Sequence, residues 1–182
     1  MNYAEIKYCD IANGSGTRTT LFVSGCTHHC AECFQPQTWN FDFGEPFTDE
    51  VADEIIESMR PSYIRGLTLL GGEPMEPGNQ RDLVDFLERV KAELPNKTIW
   101  CFTGDLLEDL LDEASVRRTE VTDRLLACID VLVDSPYVKE LHDISLRFRG
   151  SSNQRIIDMP ATRATSSIVM WSDDPVYATH TM

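Results

Sequence analysis

Apolar residues recur along this chain at two alternating spacings, and the alternation predicts its architecture. Short apolar runs end the segments 18–23, 66–70, 98–102 and 130–133. Each stops at a glycine, threonine, serine or aspartate, the pattern of a buried strand turning sharply into a loop. Between these runs the spacing becomes helical. Val51, Ile55, Ile56 and Met59 share one helix face, with Thr48 as N-cap and Asp49 and Glu50 in the first turn. Leu83, Phe86, Leu87, Val90 and Leu94 mark a second helix over 80–94, closed by Pro95 and Asn96. Shorter helical stretches are predicted at 106–111 and 121–127. Residues 3–9 read as a short edge strand, and Arg155-Ile156-Ile157 as a last strand. Asn13-Gly14-Ser15-Gly16 lacks the third glycine of a dinucleotide loop and reads as a turn.

Strand, helix, strand, helix with short links implies an α/β fold, a mostly parallel sheet flanked by helices. Right-handed crossovers bring the carboxyl ends of such strands to one face. Residues 26–33, 71–74, 103–104 and Asp134 all lie just past a predicted strand end, where open α/β sheets and barrels place their sites. There are too few units for an eight-fold barrel. Beyond Met159, an apolar Ile168-Val169-Met170-Trp171 sits among Pro160, Ser166-Ser167, Asp173-Asp174 and Pro175. The expected organisation is therefore a domain over 1–158 and a loosely attached extension over 159–182.

Composition narrows the function. Hydrophobic residues at 42% and charged residues at 25% are ordinary for a globular chain of 182 residues. No run approaches a membrane span and the start lacks the features of a signal peptide, so a cytoplasmic protein without a membrane partner is expected. A net charge of −14, with Arg117-Arg118 as the only adjacent basic pair, argues against nucleic acid as a partner. The acidic stretches near 49–57 and 108–113 read as solvated helix faces.

The candidate chemistry is concentrated in one loop. Cys26, Cys30 and Cys33, three of the six cysteines, are spaced C-x3-C-x2-C directly after Leu21-Phe22-Val23-Ser24-Gly25. Close-spaced thiols in a reducing compartment suit metal or iron-sulfur ligation better than disulfides. Three thiolates are one short of the set that closes a structural site, which leaves a coordination position for an external ligand. The alternative is a zinc site completed by His28, His29 or Cys9. Cys9, Cys101 and Cys128 otherwise read as inert core thiols, and His28 and His29 as hydrogen-bonding groups behind the ligands or, the simpler reading, as loop residues. Trp39, Phe41, Phe43 and Phe47 are expected to pack around the cysteine loop.

The cysteine spacing, followed by Gly71-Gly72-Glu73-Pro74 at a strand end, resembles the radical S-adenosylmethionine superfamily. Residues 10–18, Trp100-Cys101-Phe102-Thr103-Gly104, Val131-Leu132-Val133-Asp134 and Arg149-Gly150-Ser151-Ser152-Asn153-Gln154 are more closely similar to its glycyl-radical activating enzymes, those serving the anaerobic ribonucleoside-triphosphate reductase. The similarity runs from Met1 to about Ile157. It implies a partial, open (β/α) barrel with mostly parallel strands. It implies a four-iron four-sulfur (4Fe-4S) cluster on Cys26, Cys30 and Cys33, with S-adenosylmethionine on the fourth iron. Reductive cleavage would give methionine and a deoxyadenosyl radical that takes a hydrogen from a glycine of the reductase. The implied partners are that reductase and a flavodoxin- or ferredoxin-type electron donor. The family's pattern puts Gly71 and Gly72 at the cofactor's amino end, and Glu32, Cys33 and Phe34 beside its nucleoside. Glu32 stands where many members of the superfamily outside this group carry an aromatic residue. Glu73 belongs to the same cofactor-binding turn and is read as its buttress, not as an acid or base. Thr103 and Asp134 are weaker cofactor-binding candidates, Asp134 through ribose hydroxyls or a monovalent cation, with a turn-capping role as the alternative. No side chain is assigned a catalytic role beyond cluster and cofactor. Two other functions stay open at this level: activation of a different glycyl-radical enzyme, and a non-catalytic iron-sulfur or zinc-binding protein.

Overall fold

The computed structural model describes residues 1–172. Seven strands form one sheet in the order β3-β1-β2-β4-β5-β6-β7. They are β1 (Asn2–Asp10), β2 (Thr17–Val23), β3 (Glu45–Pro46), β4 (Ile64–Gly71), β5 (Thr98–Phe102), β6 (Val131–Asp134) and β7 (Arg155–Asp158). The four central strands β2, β4, β5 and β6 run parallel, while β1 and β7 pair antiparallel at the sides. The sheet ends at β3 and β7 without closing, as expected of a partial barrel. The helices are α1 (Asp49–Ser58), α2 (Pro77–Glu93), α3 (Leu107–Leu111), α4 (Thr122–Cys128) and α5 (Met159–Thr165). Thr48 caps α1 as predicted, its side chain accepting from Val51 N. None of the described helices is long and apolar enough to cross a membrane.

Side-chain alternation along the strands divides the interior in two. Leu21, Val23, Leu67, Leu69, Ile99, Cys101, Leu132 and Ile157 face the helices, where they pack with Ile55, Met59, Leu83, Leu87 and Leu125. Their alternates Trp100, Val131, Val133 and Ile156 join Phe102, Phe148 and Trp171 in a second cluster. Arg18 is buried beside it, donating to Thr68 Oγ1 and to the carbonyls of Leu67 and Thr98, each at 2.7 Å. Its guanidinium lies 5.6 Å from the Trp100 ring. This second cluster fills one end of the concave face and leaves the other end open at the strand carboxyl termini.

Three expectations need correction. Cys9 is exposed, not a core thiol, because it sits at positive φ (57°) where the β1–β2 register shifts. Phe47 packs on Tyr3 and Phe86, away from the cysteine loop. The segment after Met159 is not loosely attached over its described part. Met159 is buried, Asp158 caps α5 by accepting from Ala161 N, and Trp171 N donates to Ile156 O at 2.8 Å. The remainder of the predicted extension, with Asp173-Asp174 and Pro175, lies outside the described residues.

Candidate functional site

A cavity of about 570 Å³ opens at the carboxyl ends of the parallel strands. The loop after β2 supplies Cys26, Cys30 and Cys33 to its lining, and the turn after β4 supplies Gly71, Gly72 and Glu73. Glu32, Phe34 and Thr103 line it too. Cys26 is buried, whereas Cys30 and Cys33 are partly open to the cavity. Burial pushes the Cys26 thiol up to about 11, with the Glu73 charge adding to the effect.

The loop is held at both ends by backbone. Gly25 N donates to Thr38 O and Cys26 N to Trp39 O, so the short 3-10 turn Pro36–Trp39 folds back against the first cysteine. Trp39 lines the cavity and meets the His29 ring edge-on at 4.6 Å. His29 and Glu32 both take positive φ (48° and 59°), which bends the loop around its cysteines. Glu32 reaches out to Lys139 Nζ at 2.5 Å and so ties the loop to the short 3-10 turn Lys139–Leu141. Phe34 is fully exposed.

The glycine pair is required by close backbone approach. Gly72 N donates to Val23 O at 2.7 Å and Glu73 N to Gly25 O at 2.8 Å. A Cβ at Gly72 would stand 2.6 Å from Gly25 O, and one at Gly71 (φ 110°) 2.7 Å from Val23 O. Both glycines therefore lock the end of β4 to the start of the cysteine loop. Glu73 buttresses the turn as read from sequence, its carboxylate accepting from Met75 N and Gly104 N at 2.8 Å.

His28 is not a free loop residue. Its Nε2 lies 3.0 Å from Glu73 Oε2 and 3.5 Å from Asp105 Oδ1. Hydrogen bonding to Asp105 and Glu73 raises its pKa to about 10, against the cost of burial. Asp105 and Arg117, which face this group, carried no local signal: one follows the Thr103-Gly104 turn, and the other was legible only as a basic pair. Glu76 completes the network. Although burial opposes it, hydrogen bonds from Thr27 and Arg117 hold its carboxyl below the ordinary value.

Asp134 is absent from the cavity lining among the described residues. It is fully buried, and its oxygens accept from Leu107 N, Ser135 Oγ and the Arg155 guanidinium. It accepts from the first N–H of α3 and pairs with Arg155, so of the two readings it keeps the helix-capping part of the alternative and adds a buried ion pair that local sequence did not reveal. Neighbouring Ser135 lines the cavity instead.

The donor set suits an incompletely ligated cluster. Cys9, Cys101 and Cys128 do not line the cavity among the described residues, and His28 is engaged by carboxylates. Three thiols thus face a space too large for a single ion, walled by Phe22, Leu70, Phe102 and Trp39.

Comparison with known proteins agrees with this donor set. A family model described as a 4Fe-4S single cluster domain matches residues 12–157. The chain is 44% identical over 156 residues to the anaerobic ribonucleoside-triphosphate reductase-activating protein of Escherichia coli K12, covering 85% of this chain and 96% of the relative. It is 43% identical over 158 residues to the protein of that name in Vibrio cholerae, covering 86% and 97%. It is 40% identical over 156 residues to that of Enterobacteria phage T4, covering 86% and 93%.

Proposed function

Because the chain belongs to the anaerobic ribonucleoside-triphosphate reductase-activating proteins, with a 4Fe-4S single cluster domain, we propose that it is a radical S-adenosylmethionine enzyme that places a glycyl radical on that reductase. The observation that supports this reading most is the sharing of one cavity by three cysteines and the Gly71-Gly72 turn. When bound, the cluster supplies an electron that splits S-adenosylmethionine into methionine and a carbon radical able to remove hydrogen from a peptide glycine.

Cys26, Cys30 and Cys33 would hold three irons and leave the fourth to the cofactor. Gly71 and Gly72, by seating the end of β4 directly on Val23 and Gly25, set the backbone that would meet the cofactor's amino end. Glu32, Phe34 and Thr103 are the side chains offered to its nucleoside. Phe22, Leu70, Phe102 and Trp39 give the cavity apolar walls, which limit water around a reactive radical. The cavity opens to solvent beside the exposed Phe34, which suits a substrate that is a loop of another protein. We place the reaction in the cytoplasm, with a flavodoxin- or ferredoxin-type protein as electron donor.

Anaerobic reconstitution with iron and sulfide, then reduction with S-adenosylmethionine present, tests the reading. Methionine and deoxyadenosine are expected, together with a doublet radical signal in added reductase. A protein that binds only zinc, or a Cys30→Ala variant that still cleaves the cofactor, would overturn it.

A further inference from the structure

The three residues between Cys26 and Cys30 are Thr27, His28 and His29, and two of them are pinned by buried charge. Arg117 reaches Thr27 from the segment joining α3 to α4, 90 positions along the chain. Its Nη1 lies 2.7 Å from Glu76 Oε2 and its Nε 3.1 Å from Asp105 Oδ1. Its Nη2 donates to Thr27 Oγ1 at 2.9 Å. The Thr27 hydroxyl in turn donates to Glu76 Oε1 at 2.7 Å, and the same oxygen accepts from Thr27 N at 2.7 Å. Arg117, Glu76 and Thr27 therefore form a closed triangle, with side chains only 13% and 5% exposed at the arginine and the glutamate. Asp105 extends it to His28. Arg118, next in sequence, turns away to the exposed Asp123 and the Leu110 carbonyl.

A planar guanidinium fork can address Glu76, Asp105 and Thr27 at once, which a lysine ammonium on a flexible stem cannot. Groups that orient ligands from behind are a recognised determinant of how firmly a metal is held. We propose that Arg117 is a positioning residue for the cluster: through Thr27 and Glu76 it fixes the spacer between Cys26 and Cys30 in the form that presents both thiols to one cavity. This rests on the reading of those cysteines as ligands.

The test compares reconstituted wild type with Arg117→Ala, Arg117→Lys and Thr27→Val by the rate at which a chelator strips iron and by the electron paramagnetic resonance spectrum of the reduced cluster. Arg117→Ala is expected to lose iron about 10-fold faster than wild type with a broadened spectrum. Arg117→Lys should restore part of the loss, and Thr27→Val should fall between Arg117→Ala and wild type. Removing the buried cation that pairs with Glu76 and Asp105 behind the spacer should also shift the reduction potential downward in Arg117→Ala but not in Thr27→Val. Far-ultraviolet circular dichroism of the metal-free chains checks folding. If Arg117→Ala does not fold, Thr27→Val decides, because it leaves the Arg117–Glu76 pair in place. Wild-type iron retention and spectra in the folded variants would overturn the role of Arg117. Failure of the wild type to take up a cluster, or equal retention in Cys30→Ala, would instead overturn the ligand assignment.

Discussion

Glu73 Oε2 stands 3.0 Å from His28 Nε2, joining the glycine turn after β4 to the cysteine loop after β2. The same carboxylate accepts from Met75 N and Gly104 N, so one buried side chain organises three loops. Glu73→Gln keeps the shape but offers one acceptor oxygen and an amide that must face one of these donors. A buried donor left unpaired costs ~1–3 kcal/mol. A fall of that size in urea unfolding of the metal-free chain is expected. An unchanged midpoint would show that Glu73 does not hold the turns together.

Arg155 bridges the fully buried Asp134 and the exposed Glu108, with its Nη2 at 2.5 and 2.6 Å from their oxygens. Arg155→Met would strand the Asp134 charge, a loss of ~3–5 kcal/mol by analogy with other broken buried pairs. Hydrogen bonding from Arg155 lowers the Glu108 pKa from 4.5 to about 2. A carboxylate depressed in the folded state stabilises above its unfolded pKa and loses that contribution as pH falls through the folded value. Glu108→Gln should therefore flatten part of the drop in urea midpoint between pH 4.5 and about 2. The difference should shrink in high salt, because this side chain is 55% exposed. A Glu108→Gln curve parallel to wild type would rule the contribution out.

Most of the framework was legible because it rests on local periodicity. Strand ends at Val23, Gly71, Phe102 and Asp134, and helix faces such as Leu83–Leu87–Val90, follow from alternation and 3.6-residue spacing. The cysteine loop and glycine turn were legible because their residue types are chemically restrictive. Asp105, Arg117 and Glu76 were not, since their partners are tens of residues away and only the packed fold brings them together. Burial decided Asp134, which two local readings fitted equally. Cys9 was misplaced because alternation could not reveal the register shift that turns it outward.

The thiols divide into reactive and protected sets. Cys101 is fully buried, and burial raises its pKa well above the ordinary thiol value; Cys128 is raised for the same principal reason. Cys9 is exposed and outside the cavity. Iodoacetamide on the native metal-free chain should label Cys9, Cys30 and Cys33 and spare Cys101 and Cys128. After reconstitution only Cys9 should remain reactive, and Cys9→Ser should take up the same amount of iron. Mass spectrometry of digested protein checks both, and protection of Cys9 by the cluster would revive it as a ligand.

The concave face of an open sheet needs a cover, and Trp171 supplies part of it. Its ring lies 5.1 Å from Trp100 and 6.3 Å from Phe148. Trp100 is 2% exposed, so withdrawing Trp171 would bare an indole that also stacks against the Arg18 guanidinium. Two backbone bonds go with it: Trp171 N to Ile156 O, and Asp158 N to Val169 O. A chain ended at 158 should lose these together with the buried Met159 and unfold at much lower urea than one ended at 172. Trp171→Ala in the full chain should cost about 3 kcal/mol or less, below the range for fully buried aromatics because Trp171 is only partly buried. Since Trp100 and Phe102 are neighbours on β5 and Phe102 walls the cavity, the truncated chain should also hold its cluster less firmly against a chelator. Equal urea midpoints for chains ended at 158 and at 172 would instead make residues 159–172 a dispensable appendage, and the open sheet would then be stable with Trp100 bare.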